Sequence, residues 1–540
     1  MLLYCGIAVA TIFAQSCATP HSITWSPCSL TTVDTGVTDD IKCAVYTPLL
    51  CHPGVCDDSK HANSTVEVFV QQISATAIKP TEARNVWLLQ GGPFFNPGAM
   101  DPSMWYLYEA LERKVNIYTM EYRGTGRGTL LACETFASTI VANIDPTQIP
   151  DCAQELQDKY GDLAAFSTTS AANDLVDFIS DYTNDASTTI YGFGYGTMWV
   201  ERVIHLAPPK VTGYVLDSVM TTSAVIPEKI SYETSVGAYA GEINDLFFSL
   251  CAENSACNAH FKHKDIEATI QHLMTKFEKK PMSTCAKLVR KLNSGQNDDP
   301  PSFALRYLLG ALLLDAKDVG VLKHFMATIN RGYQPQGFSV ILDNLVSFSE
   351  KWEVPTPSVS KLKAQFEENL LNSWAPYIQV PQYCAFSKEK SRVCNKLNLG
   401  DYDGNGIIYD RDEYWNKPAT IPNQASVLLL SSKMDLLAPY HYAKFLLDAL
   451  DGDNKEMVTF QYTAGGNLIN AGTGEVLCGL ILLSSFVLNN GDLDYMDKSC
   501  ISAAKTALNM TLPTSFQHMY LSTDDAYDGT YDPSLNASYY

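Results

Sequence analysis

The sequence predicts an α/β fold in which helices flank a mostly parallel sheet. Short, continuously apolar segments such as residues 85–90, 115–122 and 211–219 are typical of parallel strands that are buried on both faces. Helix-like segments separate them, and the clearest one, residues 168–182, carries apolar side chains at helical spacing. Two of the strand segments end in glycine-rich loops, which predicts functional groups at the carboxyl ends of the strands.

The order of these segments divides the chain into five parts. Residues 64–76 and 187–190 supply further strands in the first half, and residues 425–431 and 457–462 supply strands near the end. Between them, long helical runs show few strand signals, so we expect a helical cap inserted into the sheet. The predicted parts are a signal peptide, the first part of the core, the cap, the second part of the core and a polar tail, at residues 1–17, 18–221, 222–420, 421–510 and 511–540.

The first residues and the cysteines predict a secreted, extracellular protein. Residues 2–14 are apolar and small residues follow at Ser16 and Ala18, a pattern typical of a cleaved signal peptide. Apart from Cys5 in the predicted signal peptide and Cys17 near its cleavage site, the 15 cysteines fall in local groups without paired zinc-binding motifs, which favours disulfides over a metal site. Three sequons make the chain a candidate glycoprotein, at Asn63, Asn509 and Asn536.

The composition excludes two classes of partner. The chain has 540 residues and a formal net charge of −21. Nucleic acids and anionic membranes need basic surfaces, so we expect neither as a partner. The longest late apolar run, residues 476–488, is too short for a membrane span and predicts a buried helix. We expect no cofactor.

The most informative motif is the segment Gly192-Phe193-Gly194-Tyr195-Gly196. It lies between a strand-like and a helix-like segment, which is the setting of a nucleophile elbow with the pattern G-x-S-x-G. Glycine stands at the position of the serine. The frame of the elbow is therefore present and its nucleophile is absent.

The acid and the base of such a site follow later strands, in the order Ser, Asp or Glu, and then His. Asp435 comes shortly after a late apolar strand, which is the expected place of the acid. The next strand-end loop, residues 460–468, contains no histidine. Of the later histidines, His441 lies at the start of the following helix and His518 lies in the tail. We therefore expect neither to act as the base.

Five segments in this order resemble the secreted tripeptidyl-aminopeptidase and prolyl-iminopeptidase branch of the α/β-hydrolases. The matching segments are residues 89–93 (LQGGP), residues 122–127 (YRGTGR), the elbow, residues 428–439, and residues 460–468 near Cys478. They span residues 87–500 and leave room for a cap where that family has one. The resemblance implies an α/β-hydrolase fold and a serine exopeptidase that removes residues from peptide N-termini.

The resemblance also assigns site residues. It places the nucleophile at position 194, the acid at Asp435 and the base at position 465, and glycine occupies the first and the last of these as Gly194 and Gly465. In the loop that would help to form the oxyanion hole, Phe94 stands where a glycine is expected. The implied residues of the oxyanion hole are Gly91, Gly92, Pro93, Phe94 and Tyr195.

These departures predict an inactive relative of the enzymes. Loss of a catalytic serine alone lowers the rate by on the order of a millionfold, and further triad losses add little. We interpret the chain as a pseudoenzyme that binds a peptide or a protein partner, with an enlarged pocket at Gly465 and an unpaired Asp435 at its floor. The alternative is a working serine-type exopeptidase or hydrolase that uses non-standard residues.

A third, weaker hypothesis is calcium binding by residues 401–412. Asp401, Asp403 and Asn405 fall at the first three ligand positions of an EF-hand loop, and a glycine follows at position six. Asp412 stands at position twelve instead of the usual glutamate. A turn rich in Asp, Asn and Gly is the alternative interpretation of the same pattern.

Overall fold

The computed structural model describes most of the chain between Ile23 and Ala537. The described residues are 23–30, 33, 40–56, 60–61, 63–92, 97–134, 144–223, 226–261, 264–292, 299–314, 339–473, 476–505, 514, 517–518, 522–525 and 530–537. The predicted signal peptide lies outside them.

One large sheet forms the centre of the described structure. It contains nine strands, which are β1 (Ser26–Pro27), β2 (Ile41–Tyr46), β3 (Val68–Ile73), β4 (Arg84–Leu89), β5 (Val115–Met120), β6 (Thr188–Phe193), β7 (Val211–Asp217), β8 (Ser426–Ser432) and β9 (Lys455–Phe460). A separate two-stranded ribbon pairs β10 (Gly472–Thr473) with β11 (Val476–Leu477).

The strand order confirms the prediction of a mostly parallel sheet. Across the sheet the order is β1-β2-β3-β5-β4-β6-β7-β8-β9. From β5 to β9 every neighbouring pair is parallel, whereas β1, β2, β3 and β5 pair antiparallel. Every residue of β8 is buried, as expected for a parallel strand covered by helices on both faces. The sequence missed β1 and β2, which belong to the cysteine-rich N-terminal segment.

Helices pack against this sheet and fill the long insertion. In the described residues they are α1 (Asp101–Ala110), α2 (Ile149–Tyr160), α3 (Thr168–Tyr182), α4 (Tyr195–Leu206), α5 (Ala240–Glu253), α6 (Ser255–His260), α7 (Ile266–Lys279), α8 (Thr284–Leu292), α9 (Pro301–Leu314), α10 (Val340–Glu350), α11 (Val359–Glu367), α12 (Val380–Ser387), α13 (Arg392–Leu397), α14 (Tyr440–Ala449), α15 (Asn467–Asn470), α16 (Cys478–Leu488) and α17 (Pro533–Ala537).

Local sequence explains where the clearest helices begin. The side chain of Ser167 accepts a hydrogen bond from the amide of Ser170 and caps α3. Asp265 caps α7 in the same way through the amide of Ala268. The apolar run that predicted a buried helix is α16, and its packing against α1 and β7 confirms that interpretation. No helix in the described parts of the chain is long and apolar enough to cross a membrane.

The insertion between β7 and β8 is helical. It contains α5 to α13, and the described part of it adds no strand to the sheet. Residues 315–338 of the insertion lie outside the described residues. The cap is not a separate body, because Leu342, Phe348 and Trp352 belong to the same hydrophobic cluster as core residues such as Trp199. The boundaries at residues 222 and 420 remain predictions.

Disulfides close short loops of the chain. The described pairs are Cys28–Cys43, Cys51–Cys56, Cys133–Cys152, Cys251–Cys257, Cys384–Cys394 and Cys478–Cys500. Each pair joins two members of one local cysteine group, which confirms the interpretation of the groups as disulfides. Cys285 is left as a free, exposed cysteine.

Candidate functional site

The predicted elbow is present as a sharp turn between β6 and α4. Gly194 occupies this turn with φ +55° and ψ −120°, a backbone conformation in which a side chain would be strained. Its amide donates to the carbonyl oxygen of Asp217 at 2.9 Å, which fixes the turn to the end of β7. The strand, turn and helix therefore have the arrangement that the sequence predicted.

The backbone of Gly91 fills the space above this turn. The amide of Tyr195 donates to the carbonyl oxygen of Gly91 at 3.0 Å. A Cβ atom placed on Gly194 would lie 2.9 Å from the same oxygen. The space of a nucleophilic side chain is thus occupied, and the amide that would stabilise an oxyanion already has an acceptor. Gly92 is buried, and Pro93 and Phe94 lie outside the described residues.

The side chain of Tyr195 points into the core and not toward a substrate. It is 2% exposed, and its hydroxyl shares a hydrogen bond of 2.7 Å with Thr168. Burial raises the pKa of this phenol above its ordinary value. Its ring packs edge-on against Tyr122. Tyr195 therefore contributes its side chain to the core and its backbone amide to the turn.

Asp435 lies after β8, at the edge where the strands end, and is almost completely buried. The carboxyl is 2% exposed, and its Oδ1 accepts from the amides of Leu437 at 3.1 Å and Ala438 at 2.8 Å. Its Oδ2 is buried without a hydrogen-bond partner. Burial raises the pKa of Asp435 to about 7, and the nearby charge of Asp217 acts in the same direction, while the Ala438 amide opposes both.

Gly465 packs directly against this carboxyl. Its φ of +114° brings the backbone so close that a Cβ atom would lie 2.7 Å from Oδ2 of Asp435. The next amide, of Gly466, donates to the hydroxyl of Ser218 at 2.9 Å. The prediction of an enlarged pocket with Asp435 at its floor is therefore wrong. Because glycine has no side chain, its backbone approaches the carboxyl so closely that a Cβ atom would collide with Oδ2.

Asp217, the last residue of β7, is a further buried acid at this edge that the sequence patterns did not single out. Its buried carboxylate accepts from the Tyr191 hydroxyl at 2.7 Å, the Asn467 side-chain amide at 2.7 Å and the Leu468 backbone amide at 2.9 Å. Burial raises the pKa of this group. Asp217 thus connects the elbow with the loop after β9. The rule that selected Asp435, an aspartate at the end of an apolar strand, applies equally to this residue.

Neither late histidine belongs to this arrangement. His441 hydrogen-bonds to Glu242 of the cap at 2.8 Å and stacks on Tyr239. His518 contacts Asp524 in the tail at 2.6 Å. Their contacts agree with the expectation that neither residue acts as a base for the elbow.

The calcium hypothesis has no support in the geometry of residues 401–412. Asp412 faces Arg202, at 3.6 Å, and the hydroxyl of Thr169. The ammonium of Lys388 donates to the carbonyl oxygens of Tyr402 and Gly404 and lies over the Tyr402 ring. No group of three acidic, histidine or cysteine side chains that could hold a metal ion is found in the described part of the chain. The loop therefore surrounds a lysine ammonium from its own chain.

The glycosylation candidates differ in how far the structure describes them. Asn63 is exposed in a turn, as a sequon that carries a sugar must be. Asn509 lies outside the described residues, and the side chain of Asn536 does as well. Glycosylation of all three remains a prediction.

Comparison with known proteins finds structural neighbours of low sequence identity and no sequence relatives. No protein-family model and no curated protein sequence matches the chain. Acetyl xylan esterase 1 from a Thermoanaerobacterium species is 9% identical, with 87% of this chain and 88% of that chain covered and a TM-score of 0.34. MGS-M2, an α/β hydrolase enzyme from a Medee basin deep-sea metagenome library, is 10% identical, with 79% and 94% covered and a TM-score of 0.32. Alpha/beta hydrolase domain-containing protein 10 from mouse is 7% identical, with 82% and 97% covered and a TM-score of 0.30.

The class of protein follows from the chain's own architecture. A parallel sheet from β5 to β9, antiparallel strands at one side, an elbow between β6 and α4 and a helical insertion after β7 define an α/β-hydrolase fold. The neighbours are too distant to assign an activity or a substrate to this chain.

Proposed function

We propose that this chain is a secreted, non-catalytic member of the α/β-hydrolase fold class that acts by binding a peptide or a protein. The observation that supports this proposal best is the hydrogen bond from the Tyr195 amide to the Gly91 carbonyl oxygen. It occupies the oxyanion donor, and the same oxygen occupies the place of a side chain on Gly194. Because no serine and no histidine stand at positions 194 and 465, acyl transfer lacks its nucleophile, its base and its oxyanion donor.

The buried position of Asp435 changes what a ligand can contact. A peptide N-terminus cannot reach a carboxyl that is 2% exposed and covered by Gly465. We therefore infer that the partner binds to the outer surface of the closed protein. The net charge of −21 favours partners with basic surfaces, because complementary charges accelerate association and select the correct partner.

The first test is a search for turnover. The purified chain is treated with a fluorophosphonate probe and assayed on aminoacyl, tripeptidyl and ester substrates. We expect neither labelling nor turnover above that of the heat-denatured chain. Labelling of a single serine together with turnover would contradict the proposal and favour the alternative, an exopeptidase or hydrolase with non-standard residues.

The second test restores the two missing side chains. The variant Gly194→Ser, Gly465→His carries a complete set of triad residues with Asp435. We expect no gain of activity, because the Cβ atom of each new side chain would collide with the Gly91 oxygen or with the Asp435 carboxyl. The melting temperature of the variant shows whether it is folded. A folded variant that gains labelling and peptidase activity would show that the Gly91 loop yields, and that only the two side chains separate this chain from an enzyme.

A further inference from the structure

We propose that Asp435 and the loop of residues 461–470 form an acid-closed latch, in which the loop stays packed on the neutral carboxyl and opens when that carboxyl ionises. The loop follows β9 and lies over the former catalytic edge of the sheet. The proposal rests on the proposed function to the extent that this edge is a closed, non-catalytic surface. It adds a condition, the pH, that decides whether the edge is closed.

The loop packs directly on the carboxyl of Asp435. Oδ1 of Asp435 has two backbone donors, whereas Oδ2 has no backbone donor and no hydrogen bond of good geometry; it faces the backbone of Gly465, with the Ser218 hydroxyl nearby. A protonated carboxyl tolerates this position, because it carries no charge. An ionised carboxyl with one unsatisfied oxygen does not, since burying an unpaired charge is strongly unfavourable.

The described surroundings of Asp435 contain no positive side chain that would offset the charge of its ionised carboxyl. From β7, the groups that face Asp435 are the carboxyl of Asp217 and the hydroxyl of Ser218. From its own loop the facing groups are the amides of Leu437 and Ala438, and from the loop after β9 it is the backbone of Gly465. Among the residues that the structure describes, no lysine, arginine or histidine is ion-paired with Asp435. The nearby carboxyl of Asp217 makes ionisation of Asp435 less favourable still, because the two negative charges would repel each other.

The loop of residues 461–470 is held to the end of β7 by a few hydrogen bonds, which can open separately from the sheet. The Gly466 amide donates to Ser218 and the Leu468 amide donates to Asp217, each at 2.9 Å. Residues 464–466 are partly exposed, so water lies close to Asp435 once these bonds open. Opening of this loop would hydrate the carboxylate without unfolding the sheet.

The direction of the effect follows from linkage. Burial raises the pKa of Asp435 in the closed state to about 7, whereas an exposed aspartate has a pKa near its ordinary value of about 3.9. The closed loop is therefore favoured at acid pH and loses stability as the pH rises from about 4 to 7. Above about pH 7 both states are ionised and the difference stays constant. The population of the open loop should rise about a hundredfold between pH 5 and pH 8.

Hydrogen–deuterium exchange at pH 5, 6, 7 and 8 tests this on the full chain. The protection factor, corrected for the intrinsic exchange rate at each pH, is measured for residues 461–470 and, as a reference, for β8. We expect the loop's protection to fall about tenfold per pH unit up to pH 7 and then to level off, and to stay below that of β8 at every pH, because the loop opens without unfolding of the sheet. A loop protection that is flat from pH 5 to pH 8 would overturn the proposal.

Two variants separate Asp435 from other acids. Asp435→Asn keeps the shape of the neutral carboxyl, so the loop should stay protected at every pH. Glu201→Gln removes another buried acid that bonds to Thr221 and Ser223 and should leave the pH dependence of the loop unchanged. If Asp435→Asn retains the full pH dependence, Asp435 is not the latch. If that variant does not fold, the shape of the wild-type pH series still decides, and because the readout is exchange and not turnover, its failure is distinguishable from a failure of the proposed function.

Discussion

At the scale of single residues, two glycines determine the state of this site. Gly194 and Gly465 stand where a nucleophile and a base are expected, and both have positive φ. A Cβ atom at Gly194 would meet the carbonyl oxygen of Gly91, and a Cβ atom at Gly465 would meet the side chains of Asp435 and Ser218. Each glycine thus has a neighbouring group so close that an added side chain would collide with it.

A single methyl group added at position 194 tests whether the Gly91 backbone leaves room for a side chain there. Gly194→Ala introduces backbone strain and a contact of 2.9 Å with the Gly91 oxygen. The control Gly54→Ala also has positive φ, of +82°, but nothing lies within 4 Å of its Cβ position. We expect the control to lower the free energy of unfolding by about 1–2 kcal/mol through strain alone. Gly194→Ala should lower it by at least about 1 kcal/mol more, as measured by urea denaturation, and equal losses would mean that the Gly91 loop moves freely.

At the scale of elements, the loop of residues 401–412 shows how a motif can have the right residues and another structure. Its carbonyl groups point at the ammonium of Lys388, which follows α12, and its last aspartate faces Arg202 of α4. Arg202 also pairs with Glu350 at the end of α10, at 3.3 Å and with both side chains buried. The loop is therefore part of the connection between cap and core.

Removal of the ammonium tests this account of the loop. Lys388→Met keeps most of the side-chain length and removes the donor to Tyr402 and Gly404. We expect the free energy of unfolding to fall by about 1–3 kcal/mol, because hydrogen bonds from a charged donor are lost. The exposed neighbour provides the control, Lys390→Met, which should be nearly neutral. Millimolar calcium should not restore the melting temperature of Lys388→Met, and full recovery with calcium would revive the calcium hypothesis.

At the scale of the whole molecule, buried acids give the fold a pH dependence. Glu201 in α4 is 1% exposed, and its Oε1 has no hydrogen-bond partner. Burial raises its pKa to about 7, against the opposing effect of hydrogen bonds from Ser223 and Thr221. A raised pKa means that the folded state favours the protonated acid. This contribution to stability is complete below about pH 4 and is lost as the pH rises through 7.

The predicted consequence is a protein that is more stable in weak acid than in weak base. We expect the free energy of unfolding to fall between pH 5 and pH 8, by up to about 1.4 kcal/mol per pH unit for each such acid. Glu201→Gln should reduce this fall and should be more stable than the wild type at pH 8. The control Glu82→Gln removes the same charge from an exposed position and should leave the slope unchanged. A slope that is equal in all three proteins would show that Glu201 contributes nothing to it.

Much of this architecture was predictable from local patterns. The parallel strands, the elbow turn, the helical insertion, α3 with its observed bounds and the local disulfide groups all follow from apolar periodicity, glycine placement and cysteine spacing. These signals are local, so the sequence carries them directly. Antiparallel β1 and β2 were missed because β1 has two residues, and because β2 is not continuously apolar and lies in a segment rich in cysteine, threonine and proline.

What the sequence determined by itself is that glycine stands at positions 194 and 465, so neither a hydroxyl nor an imidazole is present there. Only the tertiary structure decided which groups lie beside Gly194 and Gly465. The sequence suggested an enlarged pocket, and the fold brings Gly91 and Gly465 onto the former site instead. The reason is physical: the positions of two loops relative to β6 and β8 depend on contacts between residues far apart in the chain, and the two glycines allow the Gly91 backbone and the Asp435 side chain to approach them closely.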